Sequence, residues 1–154
     1  MSFGNWSKLL AGWGLSALAL ASLAVAQRAT NTPNTAGGQD RGDVERGRYL
    51  VEDVAMCGEC HTPRNGKGDL KTDAWLQGAT TWIRPVAAIQ PWADTAPPLA
   101  GMPSFTDEQL ATILEKGTGP EGEVLRPPMH IYHMHHEDAK AIIAYLKTLP
   151  AGSR

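Results

Sequence analysis

A chain of 154 residues, 42% of them hydrophobic, is long enough for one small globular domain and too short for several. Lysine and arginine number 14 against 16 acidic residues, a formal charge of −2, so no basic footprint for nucleic acid is present. Two cysteines are too few for a disulfide-built scaffold, so their meaning lies in their placement.

Met1 to Lys8 carries one basic side chain, and Leu9 to Val25 then runs without a charged residue. Ala24-Val25-Ala26 closes the run as an A-x-A site before Gln27, so residues 1–26 read as a secretory signal peptide. The competing reading is a retained membrane anchor, because the apolar run is nearly long enough to span a bilayer. Both readings place the folded part outside the cytoplasm. Residues 27–42 are rich in Thr, Asn, Pro and Gly, lack large apolar side chains, and are expected to be a flexible linker. The folded domain is then expected over residues 43–150.

Asp43 is placed to cap a helix over roughly Val44 to Met56. Val44, Tyr49, Leu50 and Val54 fall mostly on one side, with Glu45, Arg46, Glu52 and Asp53 away from it. The helix runs directly into Cys57-Gly58-Glu59-Cys60-His61, and Cys-x-x-Cys-His is the attachment motif of a c-type haem. Two thiols one helical turn apart add across the two vinyl groups of the ring, and the following His ligates the iron from one side. A redox Cys-x-x-Cys expects a βαβ surround that is not seen. A zinc site lacks a second cysteine pair, although the downstream histidines offer ligands.

Residues 62–105 promise little regular structure, interrupted as they are by Pro63, Pro85, Pro91, Pro97, Pro98 and Pro103. So long a loop lacks a core of its own, and a haem supplies the missing apolar surface. Without it the domain is expected to be largely unfolded. Trp75, Trp82 and Trp92 can bury area against the ring with their N–H groups on partners such as propionates, but ordinary packing is the default for any one of them. A second helix starts at Thr106-Asp107-Glu108, with Gln109 at the reciprocal capping position, carries Leu110, Ile113 and Leu114, and stops at Gly117. A third begins near His136-Glu137-Asp138 and carries Ala139, Ile142, Ile143, Tyr145, Leu146 and Leu149 to Pro150.

On these residues the chain resembles a class I (mitochondrial-type) monohaem cytochrome c, most of all the bacterial periplasmic branch with Cys-x-x-Cys-His-Thr-Pro-Arg, here Cys57 to Arg64. The resemblance covers about Asp43 to Pro150. It rests on Gly47 and Tyr49 in the first helix, the haem motif, and Pro127-Pro128-Met129 before a last helix with Ala144-Tyr145-Leu146. It implies an all-α cytochrome c fold, three core helices around one covalently bound haem c, with long irregular loops. It also implies that the first and last helices cross in close contact, Gly47 permitting the approach and Tyr145 packing over it.

The resemblance implies a Met thioether as the second axial ligand beside His61, and Met129 fits in position. The paired prolines stiffen its strap. Met134 is the near rival, Met102 sits in another Pro-flanked loop, and Met56 is badly placed for the opposite face. His130, His133, His135 and His136 are stronger iron ligands, and so crowded they suggest either a surface metal patch or, more simply, solvated loop and cap residues. His130 also stands where the family usually has a proline. His/Met ligation implies a one-electron carrier between redox proteins of a periplasmic chain, not an enzyme in itself. Two alternatives stay open: a haem subunit fixed within a membrane-associated oxidoreductase, and a gas-binding or peroxidatic haem with a labile distal position.

Overall fold

The first helix starts earlier than its sequence suggests. In the computed structural model, which describes residues 36–88 and 91–152, α1 spans Ala36–Tyr49 and runs on as a π-helical turn over Leu50–Val54. Residues 36–42, expected as linker, are therefore helical, and Asp43 lies inside the helix rather than capping it. The glycines there weaken a helix without forbidding it, and no proline lies between Ala36 and Asp43. The expected signal segment 1–26 and residues 27–35 lie outside the described residues. Among the described residues, no helix is long and apolar enough to cross a membrane.

The π-helical turn also changes which side faces inward. Its wider winding ends with the Ala55 N–H donating to the Leu50 carbonyl at 2.8 Å, and the side chains beyond it shift round the axis. Leu50 and Val51 are buried, whereas Tyr49 and Val54 are each about half exposed. A regular 3.6-residue repeat drawn through this segment therefore selects Tyr49 and Val54 and misses Val51.

Three more helices follow: α2 (Gly58–His61), α3 (Asp107–Lys116) and α4 (His136–Thr148). The capping box of α3 is formed, the Thr106 side chain accepting from the Gln109 N–H and the Gln109 side chain from the Thr106 N–H at 2.9 Å. Gly117, in the left-handed region at φ 66°, ends the helix. Leu110, Ile113 and Leu114 are buried, as their spacing predicts.

Both α1 and α3 pack against α4. The α1–α4 crossing is close enough that a Cβ at Gly47 would lie 1.9 Å from the Ala141 carbonyl oxygen and 2.8 Å from Tyr145 Cβ. The Tyr145 hydroxyl reaches back to donate to Glu52 at 2.6 Å. Ile142 and Leu146 are almost wholly buried, and burying such a side chain stabilises by roughly 1.5–3 kcal/mol.

The stretch between α2 and α3 holds one 3-10 turn (Thr72–Ala74) and two short strands, β1 (Ala79–Thr80) and β2 (Thr95–Ala96). The strands pair antiparallel with Ala79 opposite Ala96. This loop, expected to lack a core of its own, sends side chains into the helices' core. Leu76, Leu99, Ala100 and Met102 are buried in the same cluster as the helices. Leu76 is the anchor: its N–H donates to Thr62 Oγ1 at 3.0 Å, and its carbonyl accepts from the Leu99 and Ala100 N–H groups. Its φ of 56° costs on the order of 1–3 kcal/mol for a non-glycine residue, so the surrounding packing must hold it there.

Candidate functional site

The end of α1 delivers the chain into the Cys57–His61 turn. Met56, at φ 48°, makes the corner, and the His61 N–H donates to the Cys57 carbonyl at 2.9 Å. Gly58 is pressed against the Trp75 ring, which a Cβ would meet at 2.1 Å. The outer side of the turn is clamped by Arg64. Its guanidinium pairs with the Glu59 carboxylate, donates to the Gly68 carbonyl at 2.7 Å and lies 4.8 Å from the Trp82 ring centroid. Trp82 Nε1 donates to the Glu59 carbonyl at 3.0 Å.

Cys57, Cys60 and His61 line a mostly apolar cavity of about 280 Å³. Much of the remaining wall comes from Thr81 and Thr95 to Pro97 of the loop, Leu110, Ile113 and Leu114 of α3, Met129 and Tyr132, and Ile142 and Leu146 of α4. A contiguous apolar chamber with few polar groups is the form a bound cofactor needs.

His61 is buried, and its Nδ1 lies 2.8 Å from the Pro97 carbonyl. A carbonyl only accepts, so Nδ1 carries the proton and Nε2 is left as the lone-pair nitrogen. Burial lowers the His61 pKa, the Pro97 bond opposing this in part. The ring is thus the neutral form that binds metal.

Burial pushes the Cys57 thiol up to about 11, and Cys60 is raised by burial and by Glu59, with Arg64 opposing. Redox-active Cys-x-x-Cys pairs depend on a depressed thiol pKa, so these shifts run against a thioredoxin-like role.

The structure sorts the methionines. Met129 lines the cavity beside Pro128 and His130. Met102 is buried in the helical core, and Met134 packs against it with its N–H on the Leu114 carbonyl at 3.0 Å; neither lines the cavity. Met56 reaches the cavity rim but is 58% exposed and belongs to the same corner as the cysteines.

The histidines separate in the same way. His130 is on the cavity wall, whereas His136 pairs with Glu115 at 2.8 Å. Among the described residues no three His, Cys, Asp or Glu side chains converge as a metal site, so the suggested surface patch is not assembled.

None of the three loop tryptophans lines the cavity: Trp75 packs on Gly58 and the core, and Trp82 stacks on Arg64. Ordinary packing describes both. Trp92 differs, because its buried Nε1 has no hydrogen-bond partner among the described residues. Like Arg64 Nε, it is a buried donor without a partner among the described residues, and it does not border the cavity.

Sequence reasoning missed Tyr132, which lines the cavity and donates to the Ala55 carbonyl at 3.0 Å. Burial foremost, with the nearby thiols, raises its pKa to about 12. Its place three residues after Met129 was the available signal. The Pro97 carbonyl left no such trace, since a backbone acceptor has no sequence signature.

No family model matches the chain. It is 35% identical over 118 residues to the fructose dehydrogenase cytochrome subunit of Gluconobacter japonicus, covering 71% of this chain and 22% of that protein. It is 34% identical over 115 residues to a diheme c-type cytochrome of Cereibacter sphaeroides, covering 71% and 36%. With the cytochrome c subunit of the quinone alcohol dehydrogenase of Gluconobacter oxydans it shares 29% over 142 residues, 80% of this chain and 28% of that protein. The chain spans between about a fifth and about a third of the length of these relatives. All three are cytochromes by name and two of them c-type, which supports a place for this chain in the cytochrome c family without singling out the monohaem class I branch.

Proposed function

We propose that this chain is a one-electron carrier of the class I type, with a single haem c held in the cavity between the Cys57–His61 turn and the Met129 strap. The observation that carries this reading is the gathering of Cys57, Cys60, His61 and Met129 on one apolar cavity. The thiols would bond the ring covalently, and His61 Nε2 and the Met129 thioether would hold the iron. When bound, the haem supplies an iron that gains or loses one electron. The chain's own residues do the rest: Pro97 fixes the His61 tautomer, and the α3 and α4 side chains exclude water. Helices α1, α3 and α4 would form the three-helix core around the ring, and the exported location follows from the expected signal segment.

A second reading places the chain as a fixed haem subunit of a membrane-associated dehydrogenase, outside the cytoplasm. It is favoured by relatives that are subunits of fructose, alcohol and gluconate dehydrogenases. Co-purification with a dehydrogenase through detergent and salt supports the fixed subunit, and recovery as a free protein supports the carrier.

Optical spectra test the ligand set. Oxidised protein is expected to show the weak near-infrared charge-transfer band of a thioether on ferric iron. Met129→Ala is expected to abolish it, lower the potential and admit carbon monoxide to the ferrous form. A band that survives in Met129→Ala and disappears in Met134→Ala would move the ligand along the strap.

A further inference from the structure

Met129 sits on a segment with widely spaced ties. Upstream, the Ala93 N–H donates to the Pro127 carbonyl at 2.7 Å, and the Met129 N–H closes a turn onto Arg126 at 3.2 Å. Downstream, the next backbone anchor is the Met134 N–H on Leu114. In between, His133 is strained at φ 54°, and among the described residues the hydrogen bond joining this stretch to another element is that of Tyr132 to Ala55. Ala55 is itself fixed, its N–H closing the π-helical turn, and it stands two residues before Cys57. The Tyr132 ring is packed against the core cluster and meets the His130 ring edge-on, centroids 4.9 Å apart. Lifting the strap away from the cavity therefore breaks the phenol bond and withdraws a packed ring.

We propose that Tyr132 is a positioning residue, its hydroxyl bond to the Ala55 carbonyl latching the Met129 strap to the helix end that leads into the attachment turn. The inference rests on Met129 as the distal ligand. A thioether is a weak ligand, so how long it stays on iron depends on how firmly its backbone is held. One hydroxyl then sets how readily an external ligand displaces it.

Cyanide binding to ferric holoprotein tests the latch, read together with the near-infrared band in four proteins: wild type, Tyr132→Phe, Tyr145→Phe and Met129→Ala. Tyr132→Phe keeps the ring and its packing, so the haem and the band are expected to remain. Cyanide is expected to bind about fivefold faster, the share of one net hydrogen bond. Tyr145→Phe removes a comparable hydroxyl bond, to Glu52, away from the strap, and is expected to bind cyanide at the wild-type rate even though it unfolds more easily. An unchanged rate in Tyr132→Phe overturns the latch, and so does equal acceleration in Tyr145→Phe, which would mean general loosening. A band retained in Met129→Ala overturns the ligand assignment itself, and the latch with it, an outcome that Tyr132→Phe alone cannot produce.

Discussion

The α1–α4 pair and the stretch between residues 62 and 105 are held together by different means. In the pair, Gly47 lets the backbones touch, Arg46 pairs with Asp138, and Val44 packs on the same core as the buried side chains of α4. In the loop, much of the order comes from single backbone bonds: Gly78 N–H to the His61 carbonyl, Thr81 N–H to Asp94, Ala93 N–H to Pro127. Leu76 and Leu99 reach the shared core, but Thr81, Ala93, Thr95 and Pro97 border the cavity. The helices α3 and α4 border the cavity too, but α1 and α4 also pack on each other, whereas the loop has no second element of its own to pack on. A ligand that binds only the ordered state stabilises that state, and the loop is the region expected to depend on it most.

The largest way to break this contrast is to withhold the haem. Protein carrying Cys57→Ser and Cys60→Ser is expected to lose its cooperative unfolding transition. Amide exchange at Gly78, Thr81 and Ala93 is expected to approach that of an unfolded chain, with residual protection confined to Ile142 through Leu146 of α4. A haem-free protein that melts cooperatively like the native one would show the loop to be self-sufficient. Next is Gly47→Ala in the haem-loaded protein. With its new Cβ against the Ala141 carbonyl, it is expected to cost about 3 kcal/mol or more in denaturant unfolding, the upper range of overpacking.

A smaller effect sharpens the comparison from the helix side. Burial, and then the bond to Glu52, raises the Tyr145 pKa to about 12 from an ordinary 10. Between those values the folded chain keeps a proton that the unfolded chain releases. The contribution is therefore complete below pH 10 and disappears as pH rises through about 12. Tyr145→Phe is expected to cost about 1.5–3 kcal/mol at neutral pH, as for one hydrogen bond to a charged group. Its loss of stability across pH 10–12 should be shallower than in wild type; an unchanged alkaline limb would assign that loss to other groups.

How much of this was legible in sequence follows the same division. The capping box at Thr106, the stop at Gly117 and the buried face of α4 were readable because each is a local pattern of side chains. The inward turn of Val51 was not, since a π-helical turn breaks the periodicity on which such reading depends, and the start of α1 was not, since its glycine-rich first turns look like linker. The orientation of His61 depends on the Pro97 carbonyl and the loop's path on a left-handed Leu76, and neither has a residue-type signature. Cys57, Cys60, His61 and Met129 were all nameable beforehand; that one cavity collects them, and leaves Met102 and Met134 out, needed the fold.

The most direct test of a covalently held haem is extraction with acidified acetone, which removes iron–ligand bonds but not thioether bonds. Haem is expected to stay with the precipitated wild-type polypeptide, and its mass to exceed that of the bare chain by one haem. Complete transfer of the haem into the acetone would contradict covalent attachment through Cys57 and Cys60.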